Sequence, residues 1–144
     1  MAKISRILCP VDFSEATVEV VKYAKMMAEQ FEAKVVALYV APSLTKYGIF
    51  QVTPGDIDTF VASIKTGAQE QMDALLKKYF PGAQDEGRVK GVVEMGYIAE
   101  EIIHHAEKEK VSMIVMGTHG RQGVESVIFG SVAEKVVKKA HVPV

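Results

Sequence analysis

The 144 residues contain one cysteine, Cys9, and no tryptophan. A single thiol excludes an intramolecular disulfide and any cysteine-rich zinc site. Such cysteine use suits a reducing compartment, and the expected location is the cytoplasm. Excess charge of either sign is also missing: 17 Lys+Arg stand against 18 Asp+Glu. That balance excludes a nucleic-acid binder working by bulk electrostatics. Long hydrophobic runs are absent too. No stretch reaches the roughly 18 apolar residues of a membrane span. The apolar stretch near the start is cut by Asp12, too early for the core of a secretory signal. Neither a membrane nor nucleic acid is an expected partner.

What is present is a globular composition, 49% hydrophobic and 24% charged. A chain of this length buries roughly two-thirds of its unfolded surface, so it needs no metal or disulfide to fold. The expectation is one domain over 1–144.

The apolar pattern alternates between two periods. Ile4 to Val11, Lys34 to Ala41 and Val111 to Met116 are short, nearly continuous apolar runs, as expected of strands covered on both faces. Arg88 to Met95 alternates more, which fits an edge strand with one wetter face. Between these runs the spacing turns helical. The helices expected are Ser14 to Phe31, Pro54 to about Tyr79, Ile98 to about Lys110, and one starting near Ser131. Ser14 is placed to cap the first, with Glu15 in its first turn. Thr53-Pro54 suits the start of the second. His141-Val-Pro-Val144 is a stub of a fifth strand. This order predicts an α/β fold: a Rossmann-like open parallel sheet, strand order 3-2-1-4-5 with strand 5 truncated, and helices on both faces.

In such a sheet, ligands sit beyond the carboxyl ends of the strands where the order reverses, here between strands 1 and 4. Pro10-Val11-Asp12 and Gly117-Thr-His-Gly120 meet there. The first brings a carboxylate for hydroxyl or amine donors. The second opens the loop GTHGRQGVESVIFGS, in which glycines let backbone N–H groups approach anionic oxygens. A helix opening at Gly130-Ser131 would add a dipole that attracts anions, and Arg121 adds a positive charge. A nucleotide has that shape. Equally, Ser131-Val-Ala-Glu134 matches a capping box, so Ser131 can serve its own helix. The loop is neither a Walker A sequence nor GxGxxG, which removes the usual kinase, GTPase and dinucleotide readings.

Gly117-x2-Gly120-x9-Gly130-Ser131, with Met116 before it and Val132 after it, resembles the ATP-binding signature of the universal stress protein family. Ile7 to Asp12, Ala99-Glu100-Glu101-Ile102 and His141-Val-Pro-Val144 resemble further parts of the same family, so the resemblance spans the chain. It implies that Asp12 holds the adenine or ribose end and that Val40 lines the adenine pocket. Met116 and Gly117 would lie along the ribose, and Gly120, Gly130, Ser131 and Val132 would hold the phosphates. The implied ligand is ATP, or AMP or ADP, with Mg2+ or Mn2+ held mainly by the phosphates. A homodimer and an unknown protein partner are implied as well, although the family's pairing strand is short here.

Three functions follow: a nucleotide-binding regulatory protein, a slow ATPase or phosphotransferase, and a ligand-free scaffold. Asp12 and His119 are the only candidates for catalytic acid–base work, and neither has a partner that sequence can name. A phosphoacceptor receiver would want an Asp ending strand 3, where Met95-Gly96 stands. Cys9 reads as a small buried apolar residue. His104 and His105 are adjacent, lack the i, i+4 spacing of a histidine metal pair, and read as solvated. His141 reads as a turn residue. The apolar loop Tyr47 to Phe50 could cover the core, the adenine end or an interface.

Overall fold

β-Branched and aliphatic residues dominate the four runs that become strands, where branched side chains suit a pleated surface. In the computed structural model, which describes residues 3–43, 54–118 and 127–144, β1 spans Arg6–Val11, β2 Lys34–Pro42, β3 Val89–Gly96 and β4 Met113–Ile114. All pairs are parallel, and the strand order is β3-β2-β1-β4. β3 is the edge strand its alternation predicted, and all but two of its residues are only half-buried.

Side chains alternate across the sheet, as the period of two requires. Ile7, Cys9, Val11, Val35 and Ala37 face helices α1 (Glu15–Phe31) and α2 (Pro54–Tyr79), meeting Val21, Ala24, Met72 and Leu76. Leu8, Val36, Leu38 and Val40 face α3 (Ile98–Lys108) and α4 (Val127–Lys139), meeting Ala99, Ile102, Val132 and Val136. The two-faced sheet is therefore as expected. Fully buried Leu8, Leu38, Ile102 and Ile114 each contribute about 1.5–3 kcal/mol relative to exposure. α2 lies close on β3 because Gly91 has no side chain: a Cβ there would run into Met72 Cγ.

Three expectations need correction. Among the described residues the sheet has four strands, not five. The terminal segment follows β4 through one bond, from the Ile114 N–H to the Pro143 carbonyl at 2.9 Å, with Val142 packed against the α3–α4 core. Proline carries no N–H, so Pro143 accepts but cannot extend a ladder. β4 is two residues long rather than six, although the Ser112 and Val115 N–H groups still donate to Arg6 and Leu8 carbonyls on β1. Finally, α4 begins at Val127, one turn before Ser131.

Candidate functional site at the carboxyl ends of the strands

The chain runs outward from β1 to β3 and then crosses to β4 on the other side of β1. The reversal thus falls between β1 and β4, where an open sheet leaves a crevice. Parallel register carries Val11, at the end of β1, alongside Tyr39, and Ile114 alongside Leu8. Asp12, Val40 and Met116–Thr118 therefore leave the sheet on the same edge. Pro10, Val11 and Val40 are buried, and Asp12, Met116 and Gly117 are half-buried.

Asp12 has a local task. Its Oδ1 accepts the Ser14 N–H and the Thr17 hydroxyl, both at 3.0 Å. The first bond is an Asx turn, which leads the chain into α1. Ser14 occupies the N-cap position, yet its hydroxyl makes no capping bond. Asp12 does not replace it, since it accepts the Ser14 N–H and a side-chain hydroxyl rather than an N–H of the first helical turn, and Ser14 Oγ is buried without a hydrogen-bond partner among the described residues. Asp12 Oδ2 makes no hydrogen bond among the described residues either.

Between them, Phe13 has φ 60°. A bulky aromatic in the left-handed region costs about 1–2 kcal/mol. Its ring packs on Tyr39 with centroids 4.7 Å apart, which holds the turn in place. Across the crevice, a Cβ on Gly130 would lie 3.5 Å from the Thr118 carbonyl. The first turn of α4 thus stands against the exit of β4.

The glycine motif is only partly in view. Gly117 follows β4 as expected. Gly130 and Ser131 lie inside α4 rather than opening it, because the helix starts at Val127. The N–H groups that a helix start leaves unpaired then fall on Val127 to Phe129. The capping-box role of Ser131 does not hold, since a cap must precede the first turn. Val132 is buried among Leu8, Val36 and Val136. His119, Gly120, Arg121 and the Tyr47 to Phe50 loop lie outside the described residues.

The universal stress protein family matches residues 3–144. The chain belongs to that family. Universal stress protein MJ0531 of Methanocaldococcus jannaschii is 37% identical, over 96% of this chain and 79% of its own length. The solved structure of MJ0577 superposes with a TM-score of 0.74 at 28% identity, covering 99% of this chain and 94% of that one. A universal stress protein from Archaeoglobus fulgidus, solved in complex with dAMP, superposes with a TM-score of 0.62 at 18% identity, covering 99% and 96%.

The other sequence candidates resolve differently. Cys9 is fully buried, and burial pushes its thiol up to about 12, so it is inert. His104 and His141 are exposed, as expected. His105 is not: it is 3% exposed. Its burial, chiefly, lowers its pKa, against the pull of Glu94 and Glu101. It lies on the α3 face that packs on β3, beside the edge strand's Glu94. The i, i+4 relation missed in the sequence is between Glu101 and His105, not between two histidines. Among the described residues no helix is long and apolar enough to cross a membrane.

Proposed function

We propose that this universal stress protein binds an adenine nucleotide between the carboxyl ends of β1 and β4 and acts as a regulator. The observation carrying this reading is the turn Asp12–Ser14. It sets a half-free carboxylate, a strained Phe13 and an unpartnered Ser14 hydroxyl together at the point where strand order reverses. The glycine signature supplies the other half of the argument, since Gly130 brings the first turn of α4 beside the Thr118 carbonyl at the exit of β4. The dAMP bound to the Archaeoglobus fulgidus relative supports the ligand class.

In this reading Asp12 Oδ2 takes ribose or adenine donors, Val40 and Met116 line the base and sugar, and the loop that Gly117 opens, together with the first turn of α4, faces the phosphates, while Val132 supports that turn from the core. His119, Gly120 and Arg121 belong to that loop. The ligand in this reading is ATP, with Mg2+ or Mn2+ carried on the phosphates. The protein then works in the cytoplasm as a homodimer that passes the nucleotide state to a protein partner.

The test is to denature freshly purified protein and identify what is released by mass and absorbance, followed by calorimetric titration with ATP and Mg2+. Released ATP supports the reading outright. AMP or ADP supports the site and directs attention to hydrolysis. Protein that releases nothing and takes up no ATP overturns it.

A further inference from the structure

A second constellation lies away from the crevice, between the edge strand β3 and helix α3. Glu94 is two residues before the end of β3, and Glu101 and His105 lie one helical turn apart on α3. Their ligating atoms all lie within 4.8 Å of one another. His105 Nε2 is 3.6 Å from a Glu94 oxygen and 3.7 Å from a Glu101 oxygen. We propose that Glu94, Glu101 and His105 form a site for a divalent transition-metal cation of the zinc class, which clips β3 to α3.

Three observations carry this. First, the imidazole is 3% exposed and has no hydrogen bond among the described residues: Nδ1 is buried without a partner, and Nε2 is beyond hydrogen-bond reach of both carboxylates. A protonated histidine would draw a carboxylate in to about 2.7–2.9 Å. Second, the spacing suits a shared cation. Ligands about 2.0–2.2 Å from a tetrahedral zinc stand roughly 3.4 Å from each other. Third, neither carboxylate is paired with a lysine or arginine among the described residues. Two carboxylates beside a buried imidazole thus await positive charge. One nitrogen and two oxygens suit zinc, iron or manganese better than calcium or magnesium.

The backbone is shaped for the cluster. Gly96, at φ 157°, turns β3 into α3, and a Cβ there would lie 3.1 Å from Glu101 Cγ. The absent side chain leaves that space to Glu101. The two carboxylates, with side chains 37% and 30% exposed, give the ion a way in and leave room for water as a fourth ligand. Because Nδ1 lacks an outer partner to anchor the ring, affinity should be about 10- to 100-fold below that of sites whose histidine is so anchored.

The experiment uses untagged full-length protein stripped with a chelator, in the absence of nucleotide. Zn2+ is titrated in competition with a chromogenic chelator, and Co2+ is added separately to read tetrahedral absorption. One bound equivalent is expected, with a rise in thermal midpoint. In Glu94→Gln/Glu101→Gln, affinity should fall by about 100-fold or more, since lost ligands cost at least as much as lost outer partners. Both glutamates are partly exposed, so the variant should keep its fold, which circular dichroism checks. Asp12→Asn should bind Zn2+ as the parent does, separating this site from the nucleotide crevice. Failure to bind an equivalent of Zn2+, or binding that survives the double substitution, overturns the proposal.

Discussion

The two ends of the sheet treat their carboxylates in opposite ways. At the amino end, Glu109 follows α3 and meets two cations. Lys90 of β3 donates to its Oε1 at 2.6 Å, and Arg6 of β1 reaches Oε2 at 3.5 Å and the Glu109 carbonyl at 2.9 Å. Each oxygen has a partner, and the bond from Lys90 in particular holds this carboxyl below the usual glutamate range. At the carboxyl end, Asp12 spends one oxygen on its own turn and keeps the other. Among the described residues, the ionisable partner of both Glu94 and Glu101 is His105. The same residue types thus staple the fold at one end and stand with unused capacity at the other. Unused capacity is what a ligand site requires. Parallel sheets place such sites at the carboxyl end because the helices that follow start there, with their unpaired N–H groups.

The sharpest way to break this contrast is at Asp12, where structural and binding roles share one carboxylate. Asp12→Ala removes the acceptor of the Ser14 N–H and leaves the buried Thr17 hydroxyl without its Asp12 partner. A stability loss of about 1–2 kcal/mol is expected from urea unfolding. Nucleotide affinity should fall at least tenfold, or about 1.4 kcal/mol. Asp12→Asn keeps an oxygen for the turn and loses the charge. It should cost under about 1 kcal/mol in stability while still weakening nucleotide binding. If both variants lose stability equally and neither loses affinity, Asp12 serves only its own turn.

The sequence carried the strands because they depend on local pattern, while their crossing point followed from the Rossmann-like order that alternating strands and helices suggest. Continuous apolar runs such as Lys34 to Ala41 mark strands covered on two faces, and the more polar β3 marked itself as an edge. The position of Asp12 at the end of β1 was legible as well, since a carboxylate closing a strand is a local feature, but its bonds to Ser14 and Thr17 were not. The start of α4 was not. Gly130-Ser131 has the composition of a helix opening, but the apolar residues from Val127 onward extend the helix backward by a turn. His105 was missed for another reason. Adjacent histidines look solvated on a helix, yet His105 stands three residues after Ile102 and seven after Ile98, on the buried stripe of α3, and that spacing was the signal overlooked. Its relation to Glu94 exists only once β3 and α3 pack.

The amino end offers the complementary test, with a smaller effect. Glu109→Gln should lower stability by about 0.5–1 kcal/mol at neutral pH, because the charge that Lys90 and Arg6 pair with is removed from a partly screened site. Nucleotide and Zn2+ binding should be unchanged. The parent's pH dependence has a defined sign. The pKa of Glu109 is lower in the folded state than when unfolded, so its contribution is full above the unfolded value of about 4.5. It is lost as pH falls through the folded value. The variant should therefore show a flatter decline of urea midpoint on the acid side. A decline as steep as the parent's would remove Glu109 from the account.

Lys90→Met is the mildest of these changes and the most discriminating. Lys90 is half-exposed, so its pair with Glu109 is partly screened, and Arg6 remains on the other oxygen. A loss no larger than that of Glu109→Gln is expected. The carboxyl of Glu109 should titrate closer to the ordinary glutamate range, since its strongest charged partner has gone. Carbon-detected NMR of the Glu109 side chain reads this directly. The variant gives the amino end a carboxylate with spare capacity, like those at the carboxyl end. Spare charge without a buried, unpartnered imidazole should bind no Zn2+ beyond the one equivalent proposed at Glu94, Glu101 and His105. If Lys90→Met gains a Zn2+ site at Glu109, then unpaired charge alone suffices, and His105 loses its place in the argument.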